Sequence, residues 1–390
     1  MKRRTFLGAA AALATARGRA AEAPVRVAVI GHTGRGNFGH GLDTMWRDVP
    51  GTQVVAVADA DAKGLTEAQA RLGGVRGFAD YRQMLEELHP DIAVIAPRHV
   101  DQHHAMTLAA AAAGVRGIYM EKPFCRTLAE ADEIVATCER TGLRLALAHR
   151  NRYHPALPVA VKLVREGAIG RVLEYRARGK EDARGGSLDL WVLGCHLFNL
   201  IHHFAGEPKT CSATVLQQGR PLTAADVGEG SEGIGRLGGN EVHARFEMAD
   251  GLPAYFDSVQ NAGVRESGFG LQVIGTEGVL DLRMDAEPLV HLRTGSPFRP
   301  DAKPTAWQAV TSGGIGVPEP LTDIRKRVGG HLAPALDLIA ALREEREPLC
   351  SARDGRVTLE MIAGVFESHR LGGKRMALPL QERGNPLERL

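Results

Sequence analysis

The sequence predicts a two-part fold of the α/β plus α+β class. A doubly wound parallel sheet comes first, and a mostly antiparallel open sheet with helices follows. Three observations predict it. The chain opens on a βαβ pattern, in which Val25-Arg-Val-Ala-Val-Ile30 stops at Gly31-His-Thr-Gly-Arg-Gly36-Asn-Phe-Gly39 and resumes as Gln53-Val-Val-Ala-Val-Ala-Asp59. Short strand-like and helix-like segments then alternate as far as residue 150, the pattern of a parallel sheet with crossover helices. Beyond that point, segments of alternating polarity cluster with hairpin signals, as in an open antiparallel sheet. These observations divide the chain into residues 1–23, a nucleotide-binding unit over 24–150, and a substrate and oligomerisation unit over 151–390.

A β-branched run that ends at glycine is a buried parallel strand feeding a tight turn. Glycines let the backbone approach a pyrophosphate, and a helix is expected to follow, its N-terminal N–H groups and dipole facing that group. The glycines fit two registers, Gly31-x-Thr33-x-x-Gly36 and Gly34-x-Gly36-x-x-Gly39. Asp59 closes the second strand, where an acid accepts hydrogen bonds from the adenosine ribose. Ala60 and Asp61 follow it, with no arginine, and two carboxylates repel a 2′-phosphate. The expected cofactor is therefore NAD, with Gly31, Thr33, Gly34, Arg35, Gly36 and Asp59 as candidate contacts.

Next come a helix over 81–88, a strand over 91–96 ended by Pro97, and an alanine-rich helix over 103–113 stopped by Gly114. A strand over 116–120 ends in Glu121-Lys122-Pro123. The helix after it opens on a Thr127-x-x-Glu130 capping box and carries the apolar stripe Leu128, Ala131, Ile134, Val135, Cys138. The strand over 143–148 leads into His149-Arg-Asn-Arg152-Tyr153-His-Pro155. Ligands of such sheets sit outside the carboxyl ends of the strands, where Pro97, Lys122 and Arg152 fall.

In the second unit a helix over 157–166 ends at Gly167-Ala-Ile-Gly170, and a strand over 171–178 follows. A glycine turn at 185–186 precedes an apolar helix over 190–204. Strands are expected over 241–248, 253–259, 270–274 and 279–284, with Ala249-Asp-Gly251 as a hairpin turn. Residues 295–330 read as loop, and helices over 331–346 and 354–371 close the fold.

At 390 residues the chain can bury two sizeable cores. Its 48 basic and 46 acidic residues leave a net charge of +2, which points to neither nucleic acid nor a membrane surface as partner. The 5 cysteines are scattered without C-x-x-C spacing, and the adjacent pairs His103-His104 and His202-His203 point different ways, so no metal is expected. Residues 1–23 resemble a twin-arginine export signal: Arg3-Arg4, then Phe6-Leu7, then a short apolar run. That run falls far short of the about 20 residues of a membrane anchor, so the expected location is the periplasm.

Taken with Pro97, Glu121-Lys122-Pro123, the Arg152-Tyr153-x-Pro155 turn, Gly167-Ala-Ile-Gly170, Gly194-x-His196 and the ending from Phe366 to Leu380, the chain resembles the Gfo/Idh/MocA oxidoreductases over nearly all of its mature length. The resemblance implies a nicotinamide cofactor, a sugar, polyol or related hydroxyl as substrate, and a homodimer or homotetramer. It implies His196 as the base and Lys122 as the cation beside the reacting oxygen. The chemistry agrees, because oxidising a secondary alcohol needs a proton acceptor that titrates near neutrality and a donor that stabilises developing negative charge. Glu121 orients the turn, and Arg152 and Tyr153 are candidates for nicotinamide or substrate contact.

The sequence departs from the resemblance at one place. Where the family often has an aspartate one turn before the histidine, this chain has Val192. Asp189 is on the same helical face but about 10 Å away along the axis. Lys180 and Asp182, at the end of the preceding strand, are further candidates for the missing polar group, and Trp191 for a sugar-stacking face. Three functions stay open: net oxidation of a carbohydrate hydroxyl, redox-neutral glycoside cleavage through a keto-sugar, and a non-catalytic sugar or nucleotide sensor. Export favours a tightly held cofactor, since the periplasm offers no ready NAD pool.

Overall fold

The computed structural model describes residues 23–263, 269–299 and 305–390. Apart from Ala23, the export-signal reading concerns residues outside these. Six parallel strands, β1 (Val25–Ile30), β2 (Thr52–Ala58), β3 (Arg76–Phe78), β4 (Ile92–Ile95), β5 (Gly117–Met120) and β6 (Arg144–Leu147), form the first sheet in the order β3-β2-β1-β4-β5-β6. That order reverses between β1 and β4 and opens a crevice at the carboxyl ends of the strands. Helices α1 (Ala62–Arg71), α2 (Tyr81–Leu88), α3 (His103–Ala112) and α4 (Leu128–Thr141) make the crossovers. β4 and β5 are buried throughout, which their unbroken apolar runs anticipate. At α4 the Thr127 hydroxyl accepts from the Glu130 amide at 3.2 Å, while the Glu130 carboxylate accepts from the Arg126 amide at 2.9 Å, one residue before the reciprocal bond of a full capping box.

One expectation is corrected. No α-helix follows the glycine turn; between β1 and β2 there are only turns and a 3-10 segment, Thr44–Asp48. Gly34, Gly36, Gly39 and Gly41 have φ of +83°, +88°, +58° and +82°, outside the right-handed helical region, so a helix cannot propagate through them. The segment is held instead by Phe38, Leu42, Met45 and Trp46, which bury themselves against the sheet. No helix dipole faces this crevice from the first turn.

The second unit is an open sheet in which Val172–Arg178, Pro208–Gln217, Glu241–Met248, Pro253–Val259, Gly270–Gly275, Gly278–Arg283 and Val290–Thr294 take part. Its pairings are antiparallel except that between Val172–Arg178 and Pro253–Val259. The strand Pro208–Gln217 lies under the long helix Ala352–Arg370, where Ser368 Oγ accepts from the Ala213 amide at 2.9 Å. The same helix packs on α4 and ties the two sheets into one core. The stretch expected as loop contains a strand, Gln308–Thr311, and a short helix, Ile324–Val328. The apolar helix expected over 190–204 is interrupted by a π turn, Leu190–Gly194, before its α-helical part, Cys195–Ala205.

Candidate active site

The first turn closes on itself, with the His32 and Asn37 amides and carbonyls paired at 3.1 and 3.0 Å. Thr33 donates to Asp59 from its amide at 3.1 Å and from its hydroxyl at 2.7 Å, and the Asp61 amide adds a third donor at 3.0 Å. Asp59 is thus a buried clamp between the turn and the end of β2. A Cβ on Gly36 would lie 2.3 Å from the Arg98 amide nitrogen, so only glycine lets this turn rest on the loop after β4. Gly34 faces open space. Arg35 pairs with Asp101 and keeps its Nε buried without a partner. His32 Nδ1 contacts Gln102 Oε1 at 2.6 Å.

Next to the clamp is a cavity of about 240 Å³ lined by Gly31, His32, Asp59, Asp80, Tyr81, Arg82 and Gln102. It sits at the carboxyl ends of β1 and β2, where the adenosine half of a dinucleotide belongs. A turn that Gly36 closes onto the Arg98 backbone, an orphaned guanidinium nitrogen and this cavity fit a dinucleotide diphosphate.

The reactive groups gather at the ends of β5 and β6. Pro97 is buried, and its carbonyl contacts His103 Nε2 at 2.7 Å. Glu121 accepts from His40 Nδ1 at 2.9 Å and from the Lys122 amide at 3.0 Å. Burial alone would raise its pKa, but these neighbours outweigh it and hold the carboxyl at about 2, a permanent anion. Lys122 is 8% exposed, and its Nζ donates to the Val192 carbonyl at 2.9 Å. A carbonyl inside a π turn is open to such a partner, and π turns recur at functional sites. The bond sets the ammonium against the helix that carries His196.

His196 is half-buried, open enough to meet a substrate, and its Nδ1 lies 3.0 Å from Nδ1 of His149. The rings meet edge to face, centroids 4.9 Å apart. His149, 2% exposed, is fixed at the end of β6, where its amide donates to the Leu147 carbonyl at 2.8 Å. Desolvation pushes the His149 pKa to about 3, helped by the Lys122 ammonium. Desolvation, His149 and Lys122 push His196 well below the ordinary histidine range. Both rings are therefore neutral at neutral pH, and one donates to the other.

Sequence spacing pointed to no metal site, but folding brings ring nitrogens of His149 and His196 and Sγ of Cys195 within 4.8 Å of one another. The 3.0 Å nitrogen contact has hydrogen-bond length, the Cys195 thiol is pushed up to about 12 by burial, and the Lys122 ammonium repels a cation. The trio thus has the chemistry of a hydrogen-bonded pair beside a buried thiol.

The remaining candidates are placed elsewhere. The Asp189 carboxylate accepts from Ser258 Oγ at 2.6 Å and from the Glu181 amide at 3.0 Å, and not from His196. Lys180 bonds Asp285 at 2.9 Å, and Asp182 pairs with Arg184 at 2.5 Å. Trp191 is core, and the buried Tyr153 oxygen accepts from the Cys350 amide at 3.2 Å. Arg152 is near His149, His203 and Cys350, with its Nε buried and unpartnered. His149, His40, Gln102 and Tyr81 were not singled out from sequence; for His149 the one available signal was its place directly after a strand end.

Comparison with known proteins places the chain in a family. Residues 25–149 match the model of the Gfo/Idh/MocA oxidoreductase family with an NAD-binding Rossmann fold, and residues 159–281 match the Gfo/Idh/MocA C-terminal domain. A D-apiose dehydrogenase of Paraburkholderia graminis is 28% identical over 84% of each chain. The scyllo-inositol 2-dehydrogenase (NAD(+)) of Bacillus subtilis is 29% identical over 66% of this chain and 73% of its own. A levoglucosan dehydrogenase structure with NADH and levoglucosan shares the fold with a TM-score of 0.72, at 20% identity, over 91% of this chain and 99% of that one. With both halves matched in order, the chain belongs to the Gfo/Idh/MocA family of NAD-dependent oxidoreductases.

Proposed function

We propose that this enzyme exchanges a hydride between NAD and a secondary hydroxyl of a sugar, polyol or cyclitol. The observation that carries the proposal is the Lys122–Val192 bond, which seats an ammonium beside the helix of His196 at the carboxyl edge of the nucleotide-binding sheet. Bound NAD supplies the hydride acceptor. His196 takes the hydroxyl proton, and Lys122 donates to the oxygen as negative charge develops on it. Glu121, anionic and bonded to the Lys122 amide, holds the turn that carries Lys122. The turn at Gly31, Thr33, Gly34, Arg35 and Gly36, together with Asp59 and Pro97, would hold the dinucleotide. A carbohydrate panel assayed at the reduced-nicotinamide band tests this; an oxidised product from wild type, lost in Lys122→Ala and His196→Ala, is the expected result.

The Arg3-Arg4 segment favours a second reading of the same site. A folded, exported enzyme without access to free NAD would retain its cofactor and return the hydride within one cycle. Oxidation at a sugar hydroxyl acidifies the neighbouring C–H and allows loss of a glycosidic group, after which the keto group is reduced again. Products distinguish the two: a cleaved glycoside without net NADH, or a stable keto-sugar with NADH. Cell fractionation of the full chain tests periplasmic export. A non-catalytic sensor survives only if both substitutions leave every measurable function intact. Pairing into a homodimer or homotetramer is proposed through the open sheet, where Arg245, Tyr255 and Asp257 stay accessible, and light scattering tests it.

A further inference from the structure

We propose that His149 is the positioning residue of His196: through the Nδ1–Nδ1 hydrogen bond it fixes which nitrogen of His196 carries the proton, in place of the family's aspartate. The inference rests on the functional reading above for its catalytic consequence, but its physical content is independent of it.

Among the described residues, no other side chain of this helix is hydrogen-bonded to His196. Val192 occupies the family's aspartate position and offers only its carbonyl, which Lys122 takes. Asp189 takes Ser258 and the Glu181 amide on Oδ2, and its buried Oδ1 has no partner among the described residues and makes no hydrogen bond to His196. His149 is 2% exposed and backbone-locked, since its amide donates to Leu147 and its carbonyl accepts from the Arg152 amide at 2.9 Å. Its ring therefore has little freedom, and the ring of His196 must adapt to it. The charged or titratable groups near the pair are Lys122, Arg150, Arg152 and His40, with Glu121 and Asp354 as anions and the Cys195 thiol, which burial keeps protonated. Cations dominate this set, so a neutral imidazole is a better-tolerated partner here than a second protonated group.

Between two neutral imidazoles only one proton can bridge. With that proton on His196, its Nδ1–H donates to Nδ1 of His149, and Nε2 of His196 presents a lone pair to the substrate. When the alcohol is oxidised, carbon loses a hydride with its electron pair and oxygen loses a proton to Nε2. The bridging proton then stays on His196 or crosses to His149, and in the reverse direction it returns. One hydrogen bond thereby serves base and acid in turn, which a reaction in either direction requires.

The test uses the full chain with ring-¹⁵N-labelled histidine, reading the His196 nitrogens, and the pH profile of kcat, for wild type, His149→Phe, His149→Asn and His149→Asp. His196 is expected to be protonated at Nδ1 in wild type and to change tautomer in His149→Phe, with kcat falling about 100-fold at little change in KM, within the 10²–10⁴ that general acid–base catalysis contributes. Asparagine, whose carbonyl accepts from Nδ1–H, should restore the tautomer and most of the rate. A merely packing role predicts the opposite order, since the apolar ring fills the site better than the amide. Aspartate should move the acid limb of the profile upward, because a carboxylate stabilises imidazolium. Unchanged His196 nitrogen shifts in His149→Phe would overturn the inference. Shifts that change as expected in a protein that turns over no carbohydrate would leave it standing and remove the functional reading instead.

Discussion

The Lys122 ammonium and the Val192 carbonyl, 2.9 Å apart, join the end of β5 to the helix of the second unit. This bond crosses from the cofactor-binding half to the half that supplies His196. Truncation to Lys122→Ala should leave the nucleotide site intact and remove the cation, lowering kcat by about 10²–10³-fold, as loss of one transition-state donor does. Steady-state kinetics alongside NAD titration separate the two effects. Loss of NAD binding equal to the loss of rate would place Lys122 in cofactor binding instead.

Gly34 and Gly36 form an internal control for the first turn. Both have positive φ, but a Cβ meets nothing at Gly34 and the Arg98 amide at 2.3 Å at Gly36. Gly34→Ala should cost only the left-handed penalty of about 1–2 kcal/mol. Gly36→Ala adds a backbone collision and should weaken NAD binding at least tenfold more than Gly34→Ala. Calorimetric titration with NAD checks the order of the two.

Asp59 is predicted to act through the turn as well as through any ligand. Asp59→Ala leaves the Thr33 amide and hydroxyl and the Asp61 amide without their shared acceptor. Loss of these part-buried bonds should cost about 1–3 kcal/mol by urea unfolding without nucleotide, since water reaches the freed donors and softens the penalty of an unmet group. Thr33→Val, which removes only the hydroxyl bond, should cost about 1 kcal/mol.

Acid should unfold this protein early. His149 is depressed to about 3 and His331 to about 4 by burial, and His196 lies low for the same reason. Groups whose folded pKa lies below the unfolded value of about 6.5 bind protons first in the unfolded chain. Their contribution is therefore whole above about pH 6.5 and is lost as pH falls toward the folded values. Each such histidine adds a slope of up to about 1.4 kcal/mol per pH unit. Urea midpoints between pH 7 and 4.5 check this, and His149→Phe should flatten the slope.

The first sheet was legible because buried parallel strands announce themselves as apolar runs cut by glycine and proline, as Ile92–Ile95 and Gly117–Met120 do. The missing helix after Gly31 was legible only in part: four glycines within residues 34–41 warn of turns, but that Gly36 must rest on the Arg98 backbone is visible only in the fold. The strand Pro208–Gln217 escaped notice because its buried face is made of small residues, Cys211 and Ala213 with Val215, fitted to the long C-terminal helix. Lys122 and His196 could be picked out by residue type and resemblance. His149 could not, because its partner is 47 residues away and their meeting is a product of the tertiary fold.

The most direct test of the central claim is a single-turnover measurement on the purified protein. It would be denatured to identify released nucleotide by mass, and in parallel mixed with NAD and a carbohydrate panel while the reduced-nicotinamide band is followed. The account predicts bound or readily bound NAD(H) and a band that rises with at least one carbohydrate in wild type but not in His196→Ala. A protein that neither carries nor binds NAD, or a His196→Ala variant that reduces it as fast as wild type, would contradict it.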